Sequence, residues 1–193
     1  MIRALVLMLS LLTLYAAVEA ADESSLIAGV FNPPRLAPDF SLRGSDGSEL
    51  KLSRYRGKVV LLAFGYTSCT AVCPITLSVL ARARKQLAAA ADNLQIVYVT
   101  VDPERDNAEQ MRQYLTAFDP TFIGGTGTPQ QLAAVRADYG ISVSEKMPYP
   151  GGYGLNHSSY IYLIDRAGSL RALMPYGHKA EDFAHDVGIL LKQ

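Results

Sequence analysis

Two cysteines, Cys69 and Cys73, are the only thiols of a 193-residue chain, and they stand with three residues between them in "GYTSCTAVCPITL". A thioredoxin-type dithiol has only two residues between its sulfurs, so this spacing leaves three chemistries open: a disulfide exchanger, a metal site or a structural bridge. Pro74 lacks an N–H and is tolerated only in the first turn of a helix, which puts the pair at a strand-loop-helix junction. There the helix dipole and the free N–H groups favour thiolate, the form that binds metals and attacks disulfides. A purely structural bridge gains little at this spacing, because closing so small a loop removes little unfolded-chain entropy.

Two thiolates do not complete a metal site, so a further donor is needed. Three histidines are available. His185 falls beside the apolar stripe of the final helix and reads as a solvated surface residue, and His178 reads as a terminus residue before that helix. His157 follows a loop rich in Gly, Pro and Tyr and opens the strand "HSSYIYLID". In a thioredoxin-like sheet the loop before that strand faces the helix start that carries the cysteines, where redox members have a cis-proline. Here the position reads Asn156-His157, and His157 is the candidate third ligand.

The elements that must position these residues follow from periodicity. "KVVLLAFGY" and "LQIVYVTV" are continuous apolar runs, the mark of strands buried on both faces. Ile75, Val79, Ala83 and Leu87 recur every four residues and predict a helix over 74–91. Ala108, Met111, Leu115 and Phe118 mark a second helix closed by Asp119-Pro120, and a third over 129–139 ends at Gly140. Strands over 159–165 and 169–174 are joined by "DRAG", and a helix over 179–192 closes the chain. "DFSLRGSDGSELKLSRYRG" alternates around a Gly-Ser-Asp-Gly turn and predicts an amino-terminal hairpin. This order is that of a thioredoxin-like α/β domain, a central mixed sheet flanked by helices.

The domain is expected over 38–193, after a Pro-containing linker over 21–37 and an export signal over 1–20. The signal reading rests on Arg3, the apolar run Ala4 to Val18, and Val18 and Ala20 at signal-peptidase spacing. At ~1.5 Å per residue that run covers about 22 Å, short of a ~30 Å hydrocarbon core. An uncleaved amino-terminal membrane anchor is the alternative. A lipoprotein is excluded, since no cysteine lies near position 21. Export matters because an oxidising compartment closes neighbouring thiols unless something reduces or metallates them. Eighteen basic residues balance eighteen acidic ones, which speaks against a nucleic-acid partner.

Four ordered stretches, "FGYTSCTAVCPITL", "VTVDPERD", "FDPTFIGGTG" and "NHSSYIYLID", resemble the SCO/SenC family of copper-binding assembly proteins over roughly residues 36–192. The resemblance implies a thioredoxin-like domain, periplasmic or on the outer face of the inner membrane. It would bind Cu(I) or Cu(II) through Cys69, Cys73 and His157. As a metallochaperone rather than an enzyme, it would help mature the dinuclear copper site of cytochrome c oxidase, with that copper-site subunit or another copper chaperone as partner. The alternative is a thiol-disulfide reductase acting on the acceptor's cysteines, which needs Cys69 and Cys73 but not His157. A peroxidase would need an activated cysteine with a nearby Arg and Thr, and no such set is evident. The chain departs from the family's pattern at Thr70-Ala71, often Pro-Asp, and at Asn156, where the family has an acid. Asp102 matches a family aspartate, but a turn or capping role before Pro103 is an equal reading. Met147, in the loop 146–156, is a candidate for a transient soft contact.

Overall fold

The computed structural model describes residues 26–193. The export signal expected over 1–20, and its anchor alternative, lie outside the described residues.

Among the described residues, ten strands and four α-helices are formed. They run in the order β1 (Gly29–Leu36), β2 (Ser41–Gly44), β3 (Glu49–Lys51), β4 (Val59–Gly65), α1 (Val72–Gln86), β5 (Leu94–Thr100), α2 (Ala108–Thr116), β6 (Ile123–Thr126), α3 (Pro129–Tyr139), β7 (Met147–Tyr149), β8 (Gly152–Gly154), β9 (Tyr160–Ile164), β10 (Ser169–Pro175) and α4 (Ala180–Leu190). Eight strands make one mixed sheet in the order β1-β10-β9-β4-β5-β6-β2-β3, and β7 and β8 form a separate hairpin. β4 pairs parallel with β5 and antiparallel with β9. Every residue of β4 is buried, which is why its sequence is an unbroken apolar run.

Local chemistry fixes the ends. Thr128 caps α3 by accepting from the Gln131 N–H while the Gln131 side chain returns to the Thr128 N–H, Pro129 occupies its first turn, and Gly140 closes it at φ 65°. Asn107 and Gln110 make the same reciprocal cap on α2. The expected hairpin is β2–β3, with the Asp46 carboxylate accepting the Ser48 N–H inside its turn.

Three stretches differ from expectation. Residues 29–36, read as part of a linker, are extended as expected but pair antiparallel with β10 at the sheet edge. "IGGT" forms β6, a short parallel neighbour of β5; its two glycines carry no side-chain periodicity for a pattern to reveal. α1 ends at Gln86, and a 3-10 stretch, Ala88–Asn93, carries the chain into β5 after Ala88 turns to φ 49°.

Candidate metal centre

The cysteine loop begins where β4 ends. Asp106, fully buried, accepts from the Thr67 N–H at 2.9 Å, from the Thr67 hydroxyl and from the Thr100 hydroxyl at 2.6 Å, while its own carbonyl accepts from Thr126 at 2.7 Å. One residue thus ties Thr67, just past β4, to the ends of β5 and β6, with its carboxylate holding the first two and its carbonyl the third. Burial pushes the Asp106 carboxyl upward in pKa, and the donors from Thr100 and Thr67 oppose it.

Both cysteines are free thiols, Cys73 buried and Cys69 half-buried. α1 starts at Ala71 with no capping side chain. The Cys69 sulfur instead draws on the hydrogen bond from the Cys73 thiol and then, against the cost of burial, on the backbone N–H groups of Cys73 and Ala71 and on His157, so that its pKa falls to about 5. Cys73 is driven the opposite way, by its bond to Cys69 and by burial. One sulfur is held as a thiolate at the surface and the other as a thiol beneath it.

His157 is brought to the pair by a short antiparallel bridge to Val143, flanked by Ser144 N–H to the Asn156 carbonyl at 2.8 Å and Ser158 N–H to the Ser142 carbonyl at 3.0 Å. Its Nε2 lies 3.6 Å from Cys73 Sγ, and its Nδ1 lies 2.9 Å from the Ser158 carbonyl. A carbonyl only accepts, so this contact places a proton on Nδ1 and turns Nε2 toward Cys73. The Tyr66 ring stands edge-on to the imidazole, 6.0 Å between centroids, and its hydroxyl accepts the Leu155 N–H.

The hairpin before His157 is latched to the loop after β5. The Arg105 guanidinium lies 3.7 Å from the Tyr153 ring centroid and donates to the Tyr153 carbonyl at 2.9 Å, while the Tyr153 hydroxyl donates to Asp102 at 2.8 Å. Asp102 also accepts from Arg105 Nε, and its N–H is bonded to Thr100. Asp102 thus supports the hairpin that leads to His157. Met147 Sδ accepts from the Asn156 side-chain amide at 3.5 Å, one residue from His157.

The structure thus brings Cys73 to His157 and Cys69 to Cys73. His178 is paired with Asp182 and His185 with Asp186, away from the sulfurs in their bonding. Two thiols and an imidazole nitrogen are a soft-to-borderline donor set, suited in kind to copper or zinc. Among the described residues no three His, Cys, Asp or Glu side chains are gathered as a metal-holding group, so the donors are adjacent but not closed on a common point. Residues that periodicity could not single out complete the surroundings: Tyr66, Asp106, Arg105 and Tyr153. Arg105 and Asp106 were visible only as the end of "VTVDPERD", and Tyr153 carried no signal apart from its glycine-rich loop.

Residues 30–192 match the family described as SCO1/SenC. An SCO2-like protein of Rickettsia felis is 33% identical, over 69% of this chain and 66% of that one. Among solved structures, ScoI of Bradyrhizobium japonicum with copper bound is 32% identical with a TM-score of 0.74, covering 81% of this chain and 99% of that one. BsSco, described as having a disulfide switch and as a member of the Sco family of cytochrome c oxidase assembly proteins, shares the fold at 20% identity and a TM-score of 0.66, over 84% and 98% of the two chains.

Proposed function

The chain belongs to the SCO1/SenC family, and from that premise we propose that it is a copper-binding metallochaperone that serves the assembly of the dinuclear copper site of cytochrome c oxidase. Copper is its cargo, held by Cys69, Cys73 and His157. The observation that carries this reading is the 3.6 Å approach of His157 Nε2 to Cys73 Sγ, with a Cys69 thiolate beside it. The relative with copper bound supports the choice of metal.

Delivery is ligand exchange. Half-buried Cys69 is the ligand that an incoming acceptor thiolate reaches first, whereas buried Cys73 holds the ion from below until exchange is complete. His157 lies three residues before β9, at an isolated bridge to Val143 reached through the β7–β8 hairpin, and this segment admits or withdraws the ligand. The acceptor is the copper-site subunit of the oxidase or another copper chaperone, and the protein works after export, in the periplasm or on the outer face of the inner membrane. Both sulfurs are exposed to oxidation there, so the pair can close as a disulfide once the metal has left.

A second reading is favoured by the low pKa of Cys69: a thiol-disulfide reductase acting on the acceptor's cysteines. One experiment separates the two. The reduced protein and His157→Ala are loaded with Cu(I) and with Cu(II) in separate titrations, and stoichiometry and sulfur-to-copper absorption are compared. Loss of tight binding and altered bands in the variant are expected; unchanged binding and bands would refute the three-ligand site. Reductase activity that persists in His157→Ala and disappears in Cys69→Ser would favour the second reading.

A further inference from the structure

The geometry points to Tyr98 as a positioning residue of the dithiol, its phenol hydrogen bonding to the Cys73 sulfur from inside the core. Tyr98 lies on β5 opposite Ala63 of β4, is 1% exposed, and its hydroxyl has no hydrogen-bond partner. A buried hydroxyl left unpaired is costly and rare, so it calls for an acceptor within reach of a small side-chain adjustment. Gly65 shows which one. A Cβ at that position would stand 2.0 Å from the Tyr98 oxygen and 2.9 Å from Cys73 Sγ, so both atoms crowd the spot that a missing side chain leaves open. The ionisable groups around the phenol are Cys73, Tyr114 and Cys69. Tyr114, 6.4 Å away between ring centroids, has an unpartnered hydroxyl of its own. Sulfur is a weak acceptor as a thiol and a good one as a thiolate. A sulfur locked in a disulfide is a poor acceptor, so the Tyr98 bond is open to the reduced pair and is lost when the pair closes.

This inference deepens the proposed site and rests on Cys69 and Cys73 acting as a working pair. Its first test needs no copper. Parent, Tyr98→Phe and Tyr114→Phe are equilibrated with glutathione, where protein dithiol and oxidised glutathione give protein disulfide and two reduced glutathiones. Without the phenol the disulfide is expected to gain about fivefold, a midpoint about 20 mV lower for this two-electron couple. Tyr114→Phe is expected to stay within about 1.5-fold of the parent. In the copper(II)-loaded protein, Tyr98→Phe should also move the sulfur-to-copper band to longer wavelength, because a thiolate relieved of a hydrogen bond is a better donor. A Tyr98→Phe equilibrium indistinguishable from the parent would overturn the inference, as would an equal shift in Tyr114→Phe, which would mean general loosening of the core. Loss of tyrosinate vibrations from the copper protein in Tyr98→Phe would also overturn it, making the phenol a ligand. A parent that binds no copper would sink the metallochaperone reading while the glutathione result still decides the role of Tyr98.

Discussion

Cys69 and Cys73 are chemically unequal although four positions apart on one turn. Cys69 sits ahead of an uncapped helix start, where the Cys73 thiol and backbone N–H groups converge on its sulfur, and Cys73 is inside the helix and under the core. The first prediction belongs at this scale. In the reduced, metal-free protein, alkylation by iodoacetamide should fall almost entirely on Cys69. Its rate should rise as pH increases through about 5, since the thiolate is lost only as pH falls below that value. An ordinary thiol titrates near ~8.5. Mass spectrometry of the alkylated peptides over a pH series checks both points, and a midpoint near the ordinary thiol value in the folded protein would contradict the site's electrostatics. In Cys73→Ala the midpoint should stay below ordinary, because the backbone N–H groups remain, yet rise from the parent's, because the thiol donor is lost.

The elements hold these residues by three devices: the Asp106 clasp under the loop, the Arg105 latch on the hairpin, and the empty side-chain position at Gly65. Removing the clasp in Asp106→Ala leaves the Thr67 N–H and two hydroxyls without their acceptor, and a loss of about 3 kcal/mol in urea unfolding is expected. Arg105→Ala should cost about 1 kcal/mol, because the pair is partly exposed, but should speed amide exchange at Leu155 and Asn156, which flank the imidazole. If exchange there is unchanged, the latch does not hold the hairpin. These devices also mark where sequence reading reached and where it stopped. Pro74, the apolar runs and the spacing of His157 located the junction, because each constrains backbone locally. Asp106 clasps residues thirty-nine positions back in the chain, and no local pattern encodes that contact. Residues 147–154 were read as a flexible loop and form a hairpin, since their Gly-Tyr composition signals turns but not the Arg105 stack that orders them. Asp102 had two open readings, a residue near the site or a turn or cap residue, and its carboxylate holds Arg105 and the hydroxyl of Tyr153 on the hairpin that leads to His157.

Across the whole molecule, the sheet grades from a site-bearing centre to an edge that only closes the fold. β4 carries the cysteine loop and β9 follows His157, and these two strands are direct neighbours; β1 lies beyond β10. The edge strand is fastened by one fully buried carboxylate. Asp186 on α4 accepts the Ile27 N–H and the Ala28 N–H, each at 2.9 Å, and His185 Nδ1 lies 3.0 Å from the same carboxylate. His185 is exposed, as the reading of a solvated helix surface had it, and its ring also touches this clasp. Asp186→Ala leaves two backbone donors unpaired, so a loss of about 2 kcal/mol and faster amide exchange at Ile27 and Ala28 are expected. Because β10 and β9 separate that edge from β4, the pH midpoint of Cys69 alkylation should remain at the parent value in the same variant. Measured together, exchange and alkylation decide whether the edge and the site are independent: a shifted Cys69 midpoint in Asp186→Ala would show that the amino-terminal strand reaches the metal centre through the sheet.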